Sequence, residues 1–182
     1  MITFHPFHLE VSLPVAKALL AFASKDATRQ HICGVAIEDG KVCATDGHTA
    51  VMFDGAIVVA GGERAAADVN SRVWARSLVE TAVKVARAEK RDTILLQYGL
   101  MLPVDVRFPP LARVMPDDGI EGNDCPIGFN PSYTANLAAV AKACGHDGVM
   151  LTSLRGALDP IGFRATGTEG ISARAAIMPM RI

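Results

Sequence analysis

The feature that most limits what this chain can fold into is its order of segments: a helix pattern followed by short strands, three times over. The units run to roughly sixty residues each, an internal repeat of one helix with its strands. The first helix is expected after Ser12, with Pro14 in its first turn and Ala16, Leu19, Leu20 and Ala23 at helical spacing. The second is expected from about Ser71 to Arg91, after Asn70, with Leu78, Val79, Ala82, Val83 and Ala86 as its buried stripe. The third opens at Asn130-Pro131 and stops at Gly145, with Tyr133, Leu137, Val140, Ala141 and Cys144 facing inward.

Between the helices the apolar period shortens to that of strands. His31 to Glu38 and Lys41 to Thr45 flank Asp39-Gly40, a strong hairpin signal, and Thr49 to Phe53 and Ala56 to Ala60 flank Asp54-Gly55. Thr93 to Gln97 and Leu100 to Val106 follow the second helix; Gly148 to Ser153, Ile161 to Thr166 and Ile171 to Met178 follow the third. Strands in hairpin succession beside helices predict an α+β fold of antiparallel sheets with the helices on one face. The Asp- and Gly-rich stretch Pro116 to Asp124 is the expected boundary, giving domains 1–116 and 117–182.

The chain of 182 residues is half apolar and one-fifth charged, with a formal net charge of −1, a globular composition that leaves partners open. Cys33, Cys43, Cys125 and Cys144 are scattered without a close pair, so neither a metal site nor any other cofactor is expected. The opening residues, with His5, His8 and Glu10, do not read as a signal peptide, and no apolar run is long enough to span a membrane. A cytoplasmic location is the expectation.

Four segments together resemble the bacterial sliding clamp, the beta subunit of the replicative DNA polymerase. They are His31-Ile-Cys-Gly-Val-Ala-Ile-Glu with Ala44-Thr-Asp-Gly-His48, then Phe108-Pro-Pro-Leu-Ala-Arg-Val-Met-Pro116, then Ile127-Gly-Phe-Asn-Pro-Ser-Tyr133, and the ending Met178-Pro-Met-Arg-Ile182. The chain resembles the clamp's middle domain followed by the end of its third, as a shortened relative of about three half-domain units. No counterpart of the first domain is present.

The resemblance implies a groove that takes short peptides of polymerases and repair proteins, and no catalytic residues of the chain's own. Carried onto the matching motifs, that groove comprises Ile32, Thr45, Gly47, His48, Pro109, Arg113, Val114, Met178, Pro179, Met180 and Arg181. Thr49 and Ala50 stand where the family has Arg and Leu, and Leu158 and Pro160 are further candidates for its wall. Methionines suit a surface that accepts varied apolar anchors; the plainer reading of Met178 and Met180 is as core residues of a terminal strand.

The resemblance also implies double-stranded DNA bound without sequence preference, inside a homo-oligomeric ring of three or four chains. Arg72, Arg76, Lys84, Arg87 and Arg91 fall within about 120° on a helical wheel, a face that could neutralise phosphates; a solvated helix face is the alternative. Arg29 matches a DNA-facing loop of the family. A module that keeps the groove without the ring is a second reading. Asp46 and His48 could also be read as the acid–base pair of a small hydrolase, whereas Asp46-Gly47 is itself a turn signal. Gly61-Gly62 reads as a loop and Trp74 as core or helix packing.

Overall fold

The computed structural model describes residues 8–60, 72–97, 102, 105–120, 127–167 and 170–180. Among them the elements run β1 (His8–Ser12), α1 (Leu13–Phe22), β2 (Gly34–Glu38), β3 (Lys41–Thr45), β4 (Thr49–Asp54), β5 (Ile57–Ala60), β6 (Val73–Ala75) and α2 (Arg76–Ala88). They continue with β7 (Thr93–Gln97), a 3-10 turn (Leu111–Arg113), β8 (Gly119–Ile120), α3 (Ser132–Ala143), β9 (Met150–Leu154), β10 (Ile161–Thr166) and β11 (Ser172–Ile177). The fold is α+β, as the segment order predicts. Three strands form one sheet in the order β5-β1-β7, and eight form a second in the order β6-β2-β3-β4-β11-β10-β9-β8. Every pairing is antiparallel except the short one between β8 and β9.

Strand alternation divides the centre of the large sheet into two apolar faces. Val35, Ile37, Val42, Ala44, Val51, Phe53, Ala173, Ala175 and Ile177 join the helices and the small sheet in one core. The intervening positions Ala36, Cys43, Ala50, Met52 and Ala176 meet Phe108, Leu111 and Met115 in a second, smaller cluster. Because β2 and β4 are covered on both sides, they read as continuous apolar runs rather than as alternating ones. In the small sheet β1 and β7 do alternate: Leu9, Val11, Ile94 and Leu96 are buried, and Leu95 faces outward. Helix α1 packs against both α2 and α3, which explains why Val15, Ala16, Ala18, Leu19 and Phe22 are all buried on a helix of ten residues. The large core takes in residues on both sides of Pro116, including Leu137 and Val140 of α3.

The turns follow local chemistry closely. Asp39 (φ 48°) and Gly40 (φ 76°) both take positive φ, as a two-residue hairpin turn of the right twist requires. Gly145 (φ 76°) ends α3, with His146 N–H donating back to the Ala141 carbonyl at 2.9 Å. At the start of α3, Asn130 Oδ1 accepts from Ser132 N at 3.0 Å and from Ser132 Oγ at 2.8 Å. The Ser12 side chain makes no cap bond. Instead the Leu13 N–H reaches the Asp92 carbonyl at 2.7 Å.

The second helix departs from expectation. It begins at Arg76, because Val73-Trp74-Ala75 pairs as a strand with β2, placing Ala75 opposite Gly34. That pairing depends on Gly34: a Cβ there would lie 2.1 Å from the Trp74 carbonyl oxygen. Trp74 is fully buried, and its indole N–H donates to the Gln97 carbonyl at 2.9 Å, joining the edge of one sheet to the other. Asn70, Ser71, Gly61-Gly62, His5, Cys125, Arg181 and Ile182 lie outside the described residues, as does most of the expected strand from Leu100 to Val106.

Candidate functional site

The turn between β3 and β4 is built by its own side chains. Thr45 Oγ1 donates to the Thr49 carbonyl at 2.6 Å and accepts from Gly47 N at 3.0 Å. Asp46 Oδ1 accepts from His48 N at 2.8 Å, Thr49 N at 2.7 Å and Thr49 Oγ1 at 3.1 Å. Gly47 is required twice over: its φ is +91°, and a Cβ would come within 2.8 Å of the Arg29 guanidinium. The Asp46 carboxylate is therefore a turn-former. The His48 ring lies parallel to Tyr133, 6.5 Å away, so the hydrolase pairing of Asp46 with His48 has no geometry to support it.

Across from this turn stands the segment Pro109 to Val114. Its 3-10 turn is held by Glu38, a buried residue of β2 whose Oε2 accepts from the Leu111 N–H at 2.8 Å. The Ala112 N–H points at the same carboxylate, at 3.4 Å from Oε2. Three arginines tie down the chain that follows. Arg174 donates to the Pro116 carbonyl at 2.5 Å, Arg155 to the Asp118 carbonyl at 3.3 Å, and Arg164 pairs with the Asp118 carboxylate at 2.5 Å. The third wall is the end of β11, where Met178 N–H donates to the His48 carbonyl at 2.8 Å.

Together these elements enclose a cleft of about 380 Å³. Ile32, Thr45, Gly47, His48, Thr49, Ala50, Pro109, Val114 and Met178 all line it, although the sequence spreads them over nearly the whole chain. Its floor is low because Ala50 of β4 and Ala176 of β11 are cross-strand neighbours, two small side chains where larger ones would fill the space. Leu111 and His31 complete the lining, and so does Arg29. Sequence reasoning missed Leu111, Ala176 and His31 as cleft residues, and assigned Arg29 to DNA.

Other candidates are not among the residues that line the cleft. Arg113 is exposed on the 3-10 turn, Leu158 is exposed in the loop after β9, and Pro160 directly precedes β10. Met180 is half-exposed and bridges to Gly128, its N–H on the Gly128 carbonyl at 2.7 Å, with Pro179 between it and Met178. Of the large exposed apolar side chains among the described residues, Val114 and Met178 line the cleft, and Phe129 and Met180 lie at the Gly128–Met180 bridge that follows it.

The basic stripe is broken up. Arg76 Nη1 donates to the Leu20 and Ala23 carbonyls, at 2.7 Å each, and its Nε pairs with Glu80 at 2.8 Å, so this cation staples α2 to the end of α1. Arg72 lies before the helix and donates to the Leu102 carbonyl at 3.1 Å. Arg91 lies beyond it and pairs with Glu89 at 2.8 Å. Of the five, Lys84 and Arg87 remain as exposed cations on the helix itself.

Burial raises the thiol of Cys33, and raises that of Cys43 further with help from the Glu38 charge; burial also raises Cys144. All three stay protonated and unsuited to nucleophilic work at neutral pH. Among the described residues no three His, Cys, Asp or Glu side chains gather as a metal site would require. No helix among them is long and apolar enough to cross a membrane.

Three helices packed on antiparallel sheets, repeated as helix-plus-strands units, constitute the fold of a bacterial sliding clamp. The similar solved structures are the DNA polymerase sliding clamp of Caulobacter crescentus (TM-score 0.66, 14% identity), the DNA polymerase III subunit beta of Borrelia burgdorferi in complex with a natural product (0.65, 11%), and the sliding clamp of Bartonella birtlesii bound to griselimycin (0.62, 16%). Each likeness covers 100% of this chain but only 68%, 64% and 68% of the respective clamp chains, so it spans about two thirds of each. At such identities the likeness establishes the fold. No protein-family model matches the chain, and no curated protein matches it in sequence.

Proposed function

We propose that this chain is a shortened clamp whose cleft seats short peptide segments of a DNA polymerase or of repair proteins, so tethering them to DNA. The observation that carries the reading is the convergence of the ATDGH turn, the Pro109–Val114 segment and Met178 on one cleft with an apolar floor. A concave site with buried aliphatic residues below and exposed apolar residues at its margin suits one or two apolar anchors of an extended peptide.

Fluorescence polarisation with a labelled clamp-binding peptide tests this. Met178→Glu would place a charge in the apolar lining and should weaken binding by more than about tenfold, equivalent to ~1.4 kcal/mol, with the fold intact by circular dichroism because Met178 is exposed. Unchanged affinity in Met178→Glu would remove the cleft from consideration.

Encirclement of DNA by a ring of three or four chains is the wider form of this proposal. The commitment of Arg76 to the Leu20 and Ala23 carbonyls favours a second form, a peptide-binding module that competes with a host clamp without forming a ring. Light scattering at micromolar concentration, with and without duplex DNA, separates the two: a strict monomer in both conditions eliminates the ring.

A further inference from the structure

Three arginines from separate stretches of the chain converge on the short segment Pro116–Asp118. Arg164 of β10 and Arg174 of β11 stand directly opposite one another in register. Like charges in that position repel unless an anion is shared between them. Arg174 also faces Met52 of β4, which puts the pair on the sheet face away from the helices. Arg155 follows β9, and a Cβ on Gly119 would come within 3.0 Å of its Nη2. Arg174 donates to the Pro116 carbonyl, Arg155 to the Asp118 carbonyl, and Arg164 holds the Asp118 carboxylate. Among the described residues these arginines enter no other ion pair, so one carboxylate serves three cations.

The backbone around this carboxylate is lightly held. Strand β8 contributes two residues to the sheet, Gly119 and Ile120 against Ser153 and Leu154 of β9. Pro116 rests over Gly162, where a Cβ would lie 2.8 Å from the Pro116 Cγ. Ser153, cross-strand neighbour of both Gly119 and Gly162, is buried, and its hydroxyl has no hydrogen-bond partner among the described residues. A buried donor without an acceptor is a group that a further ligand can satisfy.

We propose that Arg155, Arg164 and Arg174 form an oxyanion site for a small phosphate-class ligand, and that the chain's own Asp118 is its resident competitor. The ligand class follows from the spacing. Neighbouring strands lie about 4.8 Å apart, so the forks of Arg164 and Arg174 can hold separate oxygens of one tetrahedral dianion. The Asp118 carboxylate pairs with Arg164 alone. A bound dianion displaces Asp118 and frees β8 from β9. The site lies apart from the cleft and does not depend on the peptide reading.

Removal of the competitor provides the test, with calorimetric titration and thermal unfolding at matched ionic strength. Asp118→Asn should bind inorganic phosphate at least about fivefold tighter than the parent chain, because the internal carboxylate no longer contends for Arg164. In chloride the variant should melt below the parent, and phosphate should restore it. Arg164→Gln added to Asp118→Asn should abolish both responses. AMP serves as a second ligand: tighter binding than inorganic phosphate assigns the site to a nucleotide phosphate, equal or weaker binding to the free anion, and either supports the proposal.

Phosphate and chloride acting alike on Asp118→Asn would overturn the proposal and leave the arginines as a structural strap. So would rescue that persists when Arg164→Gln is added. Should Asp118→Asn fail to fold, hydrogen exchange in the parent chain decides the matter. Pyrophosphate, against chloride of equal ionic strength, should quicken exchange at Gly119 and Ile120 by about threefold or more. Unchanged exchange there would overturn the proposal.

Discussion

The two faces of the eight-stranded sheet are covered by different means. On one face, three helices close over Val35, Val42, Val51, Phe53 and Ala175 in the large core. On the other, an irregular stretch from Phe108 to Met115 covers Ala36, Cys43, Met52 and Ala176. A helix presents a regular apolar stripe that fills space along its length. An irregular segment fills space only where a specific contact holds it, and here the specific contact is the Glu38 carboxylate. Between this stretch and the β3–β4 turn, beside Thr45, Ala50 and Met178, lies the cleft. The helical face thus supports the fold, and the irregularly covered face leaves a site open.

This contrast can be broken at its strongest point first. Trp74→Ala removes the largest fully buried side chain of the helical face and its bond to Gln97. It should cost about 3–5 kcal/mol in urea unfolding, and a loss below ~1 kcal/mol would mean that the helical face does not dominate stability. Glu38→Ala acts on the opposite face, leaving the Leu111 N–H without its acceptor, and should cost about 1–3 kcal/mol. It should also weaken peptide binding by loosening the Pro109–Val114 wall. Loss of stability with unchanged binding would show that the wall does not depend on its carboxylate. The smallest effect is expected from Lys84→Ala with Arg87→Ala on the exposed side of α2. Unfolding should move by less than about 0.5 kcal/mol, while the salt dependence of any duplex binding should become shallower. An unchanged salt slope would show that this helix does not meet phosphate.

Much of this arrangement was legible because it is local. Asp39-Gly40 marks a hairpin whose turn needs two positive φ values, and Asn130-Pro131 and Gly145 bracket α3 within two residues of its observed ends. The cleft was legible through motif resemblance, which brought together Thr45 to His48, Pro109 and Met178. What could not be read depends on distant partners. Val73-Trp74-Ala75 has the spacing of a helix start, and only its pairing with Gly34 makes it a strand. Glu38 looks like any strand-end acid until the Leu111 amide, 73 residues on, is placed beside it. Ala176 carries no chemical signal; its importance lies in being small opposite another alanine. The basic stripe was misleading for a related reason. A helical wheel shows which cations share a face, but not that the Leu20 and Ala23 carbonyls claim one of them.

The hydrogen bonds of the Thr45–Thr49 turn have a thermodynamic consequence for any ligand. Because Thr45 Oγ1 and Asp46 Oδ1 already satisfy the turn's amides, and Met178 is already bonded to His48, this wall is rigid before a partner arrives. The ordering entropy of association then falls mainly on the incoming segment. Affinity should therefore respond more to stiffening the peptide than to stiffening the protein.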